Sequence, residues 1–192
     1  MITAIILAAG QSRRMGRPKM LLPWGVSTVL QTVVAAFDAA RVDRIVVVTG
    51  ADREQVETLV QPPAQAVFNP AFAGGEMLSS IQTGLEAIKP QAGAALIGLG
   101  DQPQVQLSTI QSLLHAYADS NAHLIVPSYR NHRGHPWLVA QTRWAEIASL
   151  RWPQTMRDFF RSHAGEIRYV EVDNSSVLAD LDTPEDYRKS RP

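Results

Sequence analysis

Three short runs constrain this chain more than anything else in it. "AIILAAG", "RIVVVTG" and "AALIGLG" are apolar almost without a break, and each stops on a glycine. A strand with one face in water alternates apolar and polar residues; a strand covered on both faces has no need to. Between these runs, apolar residues recur at helical spacing: Val29, Leu30, Val33, Val34 and Phe37, then Val56, Leu59 and Val60. The same spacing returns at Met77, Leu78, Ile81, Leu85 and Ile88, and at Leu107, Ile110, Leu113, Leu114 and Tyr117. Buried strands alternating with amphipathic helices predict an α/β chain: a three-layer α/β/α sandwich around a mostly parallel central sheet. Strands are expected at residues 4–7, 44–49, 66–68, 94–99, 123–127, 136–139 and 167–172. Beyond about residue 125 the pattern loosens, and a β-ribbon or an antiparallel edge strand fits there. With no repeat, linker or low-complexity tract, residues 1–192 read as one domain.

Charge excludes several function classes. Lys plus Arg and Asp plus Glu are each 18, so no net field draws the chain to nucleic acid or to a membrane surface. Cysteine is absent, which removes disulfides, thiolate metal sites and cysteine nucleophiles together. The first apolar run is short and its arginines follow it, the reverse of a secretory signal, so the cytoplasm is the expected location.

Any anion binding must then be local, and the segment "LAAGQSRRMGRPK" offers it. In a parallel sheet, ligands sit outside the carboxyl ends of the strands. The small residues Ala8, Ala9 and Gly10 let backbone N–H groups approach a ligand, and Gly10 and Gly16 tolerate positive φ. Arg13, Arg14, Arg17 and Lys19 add cationic donors suited to phosphate oxygens. The spacing fits neither G-x-x-x-x-G-K-[ST] nor G-x-G-x-x-G, so the common P-loop and the dinucleotide fingerprint are both excluded. What remains is a polyphosphate cradle of another kind.

A carboxylate stands at the same sheet edge. "AALIGLGDQP" places Asp101 just past a buried strand, with Gly98 and Gly100 leaving space beside it. It lies too far from the next helix to cap it, and a hard oxygen ligand beside polyphosphate is what Mg²⁺ requires. "VLADLDTPEDY" adds Asp180, Asp182, Glu185 and Asp186. Locally that stretch reads as the capped start of a helix with Pro184 in its first turn. "YRNHRGHPWL" gathers Arg130, His132, Arg133 and His135 without the carboxylate or thiolate that would complete a zinc site.

"LAAGQSRRMGRPKMLLPWG" closely resembles the L-A-[AG]-G-x-S-x-R-M-G-x-x-K-x-L-L signature of the MobA-like nucleotidyltransferases. "NPAFAGGEMLSSIQTGL", "GLGDQPQV", "PSYRNHRGHPWLV" and "DLDTPEDY" extend the resemblance over almost the whole chain. It implies a Rossmann-like, glycosyltransferase-A-like nucleotidyltransferase fold. Nearest is the branch that moves CMP from CTP to molybdenum cofactor (molybdopterin). On that resemblance the nucleotide is held by Leu7, Ala8, Ala9, Gly10, Arg14 and Lys19, with Asn69, Ser79, Ser80 and Gln82 near base and ribose. Arg14 grips the β and γ phosphates, Lys19 neutralises charge at the α phosphate, and Asp101 and Asp182 hold Mg²⁺. The Arg133-Gly134-His135 turn lies on the acceptor side. Relatives using GTP read L-A-G-G, so the Ala9 methyl favours CTP. The resemblance also leaves room for another phosphorylated acceptor or another triphosphate. A delivery role toward a molybdoenzyme, by transient contact, is the alternative from a different class.

Overall fold

The structure is a computed structural model describing residues 1–74, 76–89 and 91–192, with the backbone alone for Glu76; Gly75 of the "NPAFAGGEM" motif lies outside the described residues. β1 (Ile2–Ala8) runs into the basic loop, a small hairpin of β2 (Pro23–Trp24) and β3 (Ser27–Thr28), and α1 (Val29–Ala39). There follow β4 (Arg44–Thr49), α2 (Arg53–Leu59), β5 (Ala64–Phe68), α3 (Glu76–Ile88), β6 (Ala94–Leu99) and α4 (Leu107–Ala118). The second half carries β7 (Leu124–Tyr129), β8 (His132–Arg133), β9 (Trp137–Ala140), α5 (Trp144–Ser149), α6 (Met156–Ser162), β10 (Ile167–Glu171) and α7 (Pro184–Ser190).

Among the described residues, one mixed sheet runs β10-β7-β9-β6-β1-β4-β5, with β8 paired to β7. The expected three layers follow from period-2 burial. Ile5, Leu7, Val46 and Val48 face a core completed by α3, α5 and α6. Ala4, Ile6, Ile45 and Val47 face a second core completed by α1, α2 and α4. Every residue from Ala4 to Ala8 is therefore buried, which is why "AIILA" shows no alternation.

The expected antiparallel strand exists but does not lie at an edge. β9 sits inside the sheet, antiparallel to both β6 and β7, and it is as buried as they are. The ribbon of β7 and β8 turns through Arg130 and Asn131, both at positive φ.

Caps define the helix starts that matter below. Thr28 accepts from the Gln31 N–H at the head of α1. Thr183 and Asp186 form a reciprocal capping box at α7, with Pro184 in its first turn. The capping hydrogen bonds hold the Asp186 carboxyl below the usual range, the Thr183 hydroxyl being the largest cause. Asp182, one residue earlier, is left for other work.

Candidate active site at the ends of β1 and β6

Strand order reverses around β1, whose parallel neighbours are β4 on one side and β6 on the other. Such a switch point opens a crevice at the carboxyl ends of the strands. A cavity of about 690 Å³ lies there, lined by the basic loop, the Phe72–Gly74 turn, Met77, Ser80, Asp101, Asp180 and Asp182. Its size suits a nucleotide.

The basic loop is shaped by Ser12, not by Gly10. Ser12 takes a left-handed φ of 49°, its carbonyl accepts from the Met15 and Gly16 N–H groups, and its hydroxyl accepts from the Lys19 N–H at 3.1 Å. Gly16 takes the other left-handed position at 72°. Met15 is pinned in a small core with Leu22, Val29, Leu181 and Tyr187, which ties the loop to the C-terminal segment. Pro18 then opens a short 3-10 turn whose first residue is Lys19.

Asp101 is drawn to the same place from β6. The Gly100 N–H donates to the Leu7 carbonyl at 2.9 Å, and a Cβ there would lie 3.0 Å from that oxygen and from Met20 Sδ. The space expected beside Gly98 is filled by the Phe37 ring, 2.5 Å from where a Cβ would stand. These glycines permit close packing and leave no gap for a ligand.

The C-terminal segment closes the site. The Leu181 N–H donates to the Asp101 carbonyl at 3.2 Å, and the Leu181 side chain is fully buried. Asp180 and Asp182, on either side of the buried Leu181, both line the cavity. Lys19 Nζ donates to Asp101 Oδ2 at 3.0 Å and to Asp182 Oδ1 at 2.7 Å. Asp182 Oδ2 also pairs with Arg14 at 2.7 Å. Arg14 is mostly exposed, so that pair holds weakly.

Electrostatics at this cluster oppose one another. Burial pulls the Lys19 pKa down, but the Asp101 charge and the hydrogen bonds with Asp182 and Asp101 outweigh it and hold the pKa above the ordinary value. Asp180 is pushed up, first by burial and then by the Asp101 charge, against a 2.6 Å hydrogen bond from the Gln102 amide. The sequence offers Asp180 beside Asp182 as a carboxylate, but only Asp182 is expected in the site; the period-2 step around the buried Leu181 is the signal that adds Asp180.

Asp101 and Asp182 already place two hard oxygens on one cation, the Lys19 ammonium. Among the described residues no group of three or more His, Cys, Asp or Glu is arranged for a metal. Two carboxylates without a full cage are the donor set Mg²⁺ takes when substrate phosphates complete its shell. The residues fit the metal.

The remaining expected residues divide. Leu7, Ala9, Gly10, Arg14, Lys19 and Ser80 line the cavity, whereas Ala8 faces the core between them. Arg13 also lines it, bonded to Gln11, but Arg17 turns away over the Tyr187 ring. Asn69 stands behind the wall: its amide donates to the Ser79 and Ser80 hydroxyls and its carbonyl accepts from the Ala71 N–H. It thereby fixes the turn carrying Phe72–Gly74.

Gln82 and His135 need correction, and Arg133 and Gly134 stand away from the nucleotide cavity. Gln82 does not face the nucleotide cavity; its amide donates to the carbonyls of Ile147 and Leu150, where it holds the end of α5. Nor is His135 a cation on an acceptor patch. Its Nε2 is buried, its ring stacks on Trp137 at 4.1 Å, and burial pushes its pKa down to about 3. Arg133 is exposed on β8 over the Tyr169 ring, outside the cavity lining.

Gly134 is enclosed too. A Cβ there would lie 2.4 Å from the Val177 carbonyl oxygen, which accepts from the His135 N–H and from Gln102. That carbonyl knits the His135 turn to the segment carrying Asp180 and Asp182. Gly134→Ala is expected to cost about 1–3 kcal/mol, since backbone must move. The change is read as a lower midpoint of urea unfolding at unchanged slope.

Compared with known proteins, the chain matches the family model for the MobA-like NTP transferase domain over residues 4–167. It is 28% identical to the molybdenum cofactor cytidylyltransferase of Escherichia coli (strain K12), over 97% of this chain and 93% of that protein. It is 29% identical to the nicotine blue oxidoreductase of Paenarthrobacter nicotinovorans, over 96% and 93%. Among solved structures, Rv0371c of Mycobacterium tuberculosis H37Rv superposes with a TM-score of 0.85 at 28% identity, over 98% and 96% of the two chains. The structure of Rv0371c in complex with manganese superposes at 0.80 and 27% identity, again over 98% and 96%.

Proposed function

The chain belongs to the MobA-like NTP transferase family, and from that premise we propose that it transfers CMP from CTP to the terminal phosphate of molybdenum cofactor, releasing pyrophosphate. The observation that carries the reading is Lys19, bonded to Asp101 and Asp182 at the wall of a cavity that the basic loop also lines. One relative is named an oxidoreductase, so membership of a fold does not by itself fix the chemistry. Here the cations and acids of the cavity favour phosphoryl chemistry.

Transfer of a nucleotidyl group asks for alignment and charge neutralisation more than for covalent help. An acceptor phosphate oxygen attacks the α phosphorus in line, and pyrophosphate leaves. The acceptor is already anionic near pH 7, so no general base is needed. Lys19 offsets charge developing at the α phosphate, and Arg14 holds the leaving pyrophosphate. Mg²⁺, held by Asp101 and Asp182, supplies further neutralisation when bound. Asn69 keeps the Phe72–Gly74 turn and Ser80 in place on the base side.

The test is to incubate the protein with Mg²⁺, molybdenum cofactor and each of the four triphosphates in turn, following pyrophosphate. CTP is expected to give the fastest release. Silence with all four would refute the reading, and release only with another phosphorylated acceptor would correct the acceptor. Ala9 is the residue for base choice, since it lines the cavity. Ala9→Gly is expected to raise GTP use relative to CTP by about tenfold, the effect of one methyl at a pocket wall. Competition assays with both triphosphates measure that ratio.

A further inference from the structure

Lys19 does two things that conflict. The proposed reaction needs its ammonium at the triphosphate, yet the structure bonds it to one oxygen of each of the two carboxylates that would hold the metal. Its side chain is only 12% exposed, and Asp101 and Asp182 are 18% and 29% exposed. The contact is therefore sheltered, with little screening to weaken it. A divalent cation reaching Asp101 and Asp182 alone must displace that ammonium and leave it beside a dication. A triphosphate changes the exchange, because it gives Lys19 and Arg14 new anionic partners as the two carboxylates come free.

We propose that Lys19 is a positioning residue as well as a catalytic one: it occupies the two-carboxylate site as a built-in cation and makes metal and triphosphate binding mutually dependent. The inference rests on the metal assignment of the proposed function. The coupling is reciprocal, so Lys19 weakens the metal without nucleotide and each ligand tightens the other. Simple field effects predict something different. Arg13 lines the same cavity and carries the same charge, but it is bonded to Gln11 and not to the carboxylates.

The experiment measures Mn²⁺ affinity without nucleotide, by electron paramagnetic resonance of free Mn²⁺, in wild type, Lys19→Met, Arg13→Met and Asp101→Asn. Lys19→Met is expected to tighten Mn²⁺ by about tenfold or more, within the usual range of couplings, and Arg13→Met by no more than about twofold. Equal effects from the two, or none from Lys19→Met, would overturn the inference. Asp101→Asn separates the two levels: if it binds Mn²⁺ as wild type does, the metal reading itself fails. Should Lys19→Met not fold, wild type with isotope-labelled lysine side chains serves. The Lys19 ammonium signal is then expected to shift when CTP is added without metal; an unmoved signal overturns the proposal.

Discussion

Replacing Lys19 with alanine is expected to lower kcat by about 10²–10³ while changing CTP binding by only a few fold. The split follows from where charge develops. In the proposed reaction ground-state affinity comes from many contacts along the basic loop, whereas Lys19 is the side chain that meets charge growing at the α phosphate, and one such donor is worth about 3–4 kcal/mol in the transition state. The substitution also removes the cation between Asp101 and Asp182. That stability cost is expected to be about 1–2 kcal/mol, discounted from a fully buried pair because the aspartates retain solvent. Its pH dependence has a definite sign. A raised lysine pKa contributes stability that is complete below the unfolded value of 10.5 and lost only as pH rises through the folded value. At neutral pH the contribution is fully present. Single-turnover rates and CTP affinity, measured on protein shown folded by thermal denaturation, separate the two effects. A rate within a few fold of wild type would remove Lys19 from the transition state.

Fold and site were legible to different depths, for physical reasons. The central strands announced themselves because a strand covered on both faces has no alternation to hide behind. The place of β9 did not: an antiparallel strand was expected at an edge, and which strands flank "WLVA" inside the sheet is set by packing that local sequence does not carry. In the basic loop, composition named four cations but not their aim. That depends on the left-handed turn at Ser12 and on Tyr187, which takes Arg17 from a segment more than 160 residues away. Period-2 reading would have turned Ala8 inward between Leu7 and Ala9, and would have paired Asp180 with Asp182 across Leu181. Gln82 and His135 were out of reach for another reason. The Gln82 side chain answers to the end of α5, and the His135 ring is covered and stacked on Trp137 while its backbone N–H is tied to Val177, all of them tertiary facts. A histidine two residues after an arginine looks basic in a string of letters, and becomes neutral only once its ring is covered.

Asp101 carries the second large effect. Asp101→Ala is expected to reduce metal-dependent turnover by about a thousandfold or more, a loss of about 4 kcal/mol of transition-state stabilisation. The fold should survive, because what locks this corner is backbone: the Gly100 N–H on Leu7, and the Asp101 carbonyl under the Leu181 N–H. Neither needs the carboxylate. Lys19 also keeps Asp182 as a partner at 2.7 Å, so the cavity wall is not left with an unpaired cation. Asp101→Asn sharpens the test by keeping shape and hydrogen bonding while removing the charge and one hard oxygen. If Asp101 only anchored Lys19, the asparagine variant would retain most activity and an ordinary Mg²⁺ dependence. If it holds the metal, both variants lose activity alike, and raising Mg²⁺ recovers little, since Asp182 alone offers the ion one side chain. Turnover as a function of Mg²⁺ concentration in the two variants decides between a carboxylate that binds metal and one that merely steadies a lysine.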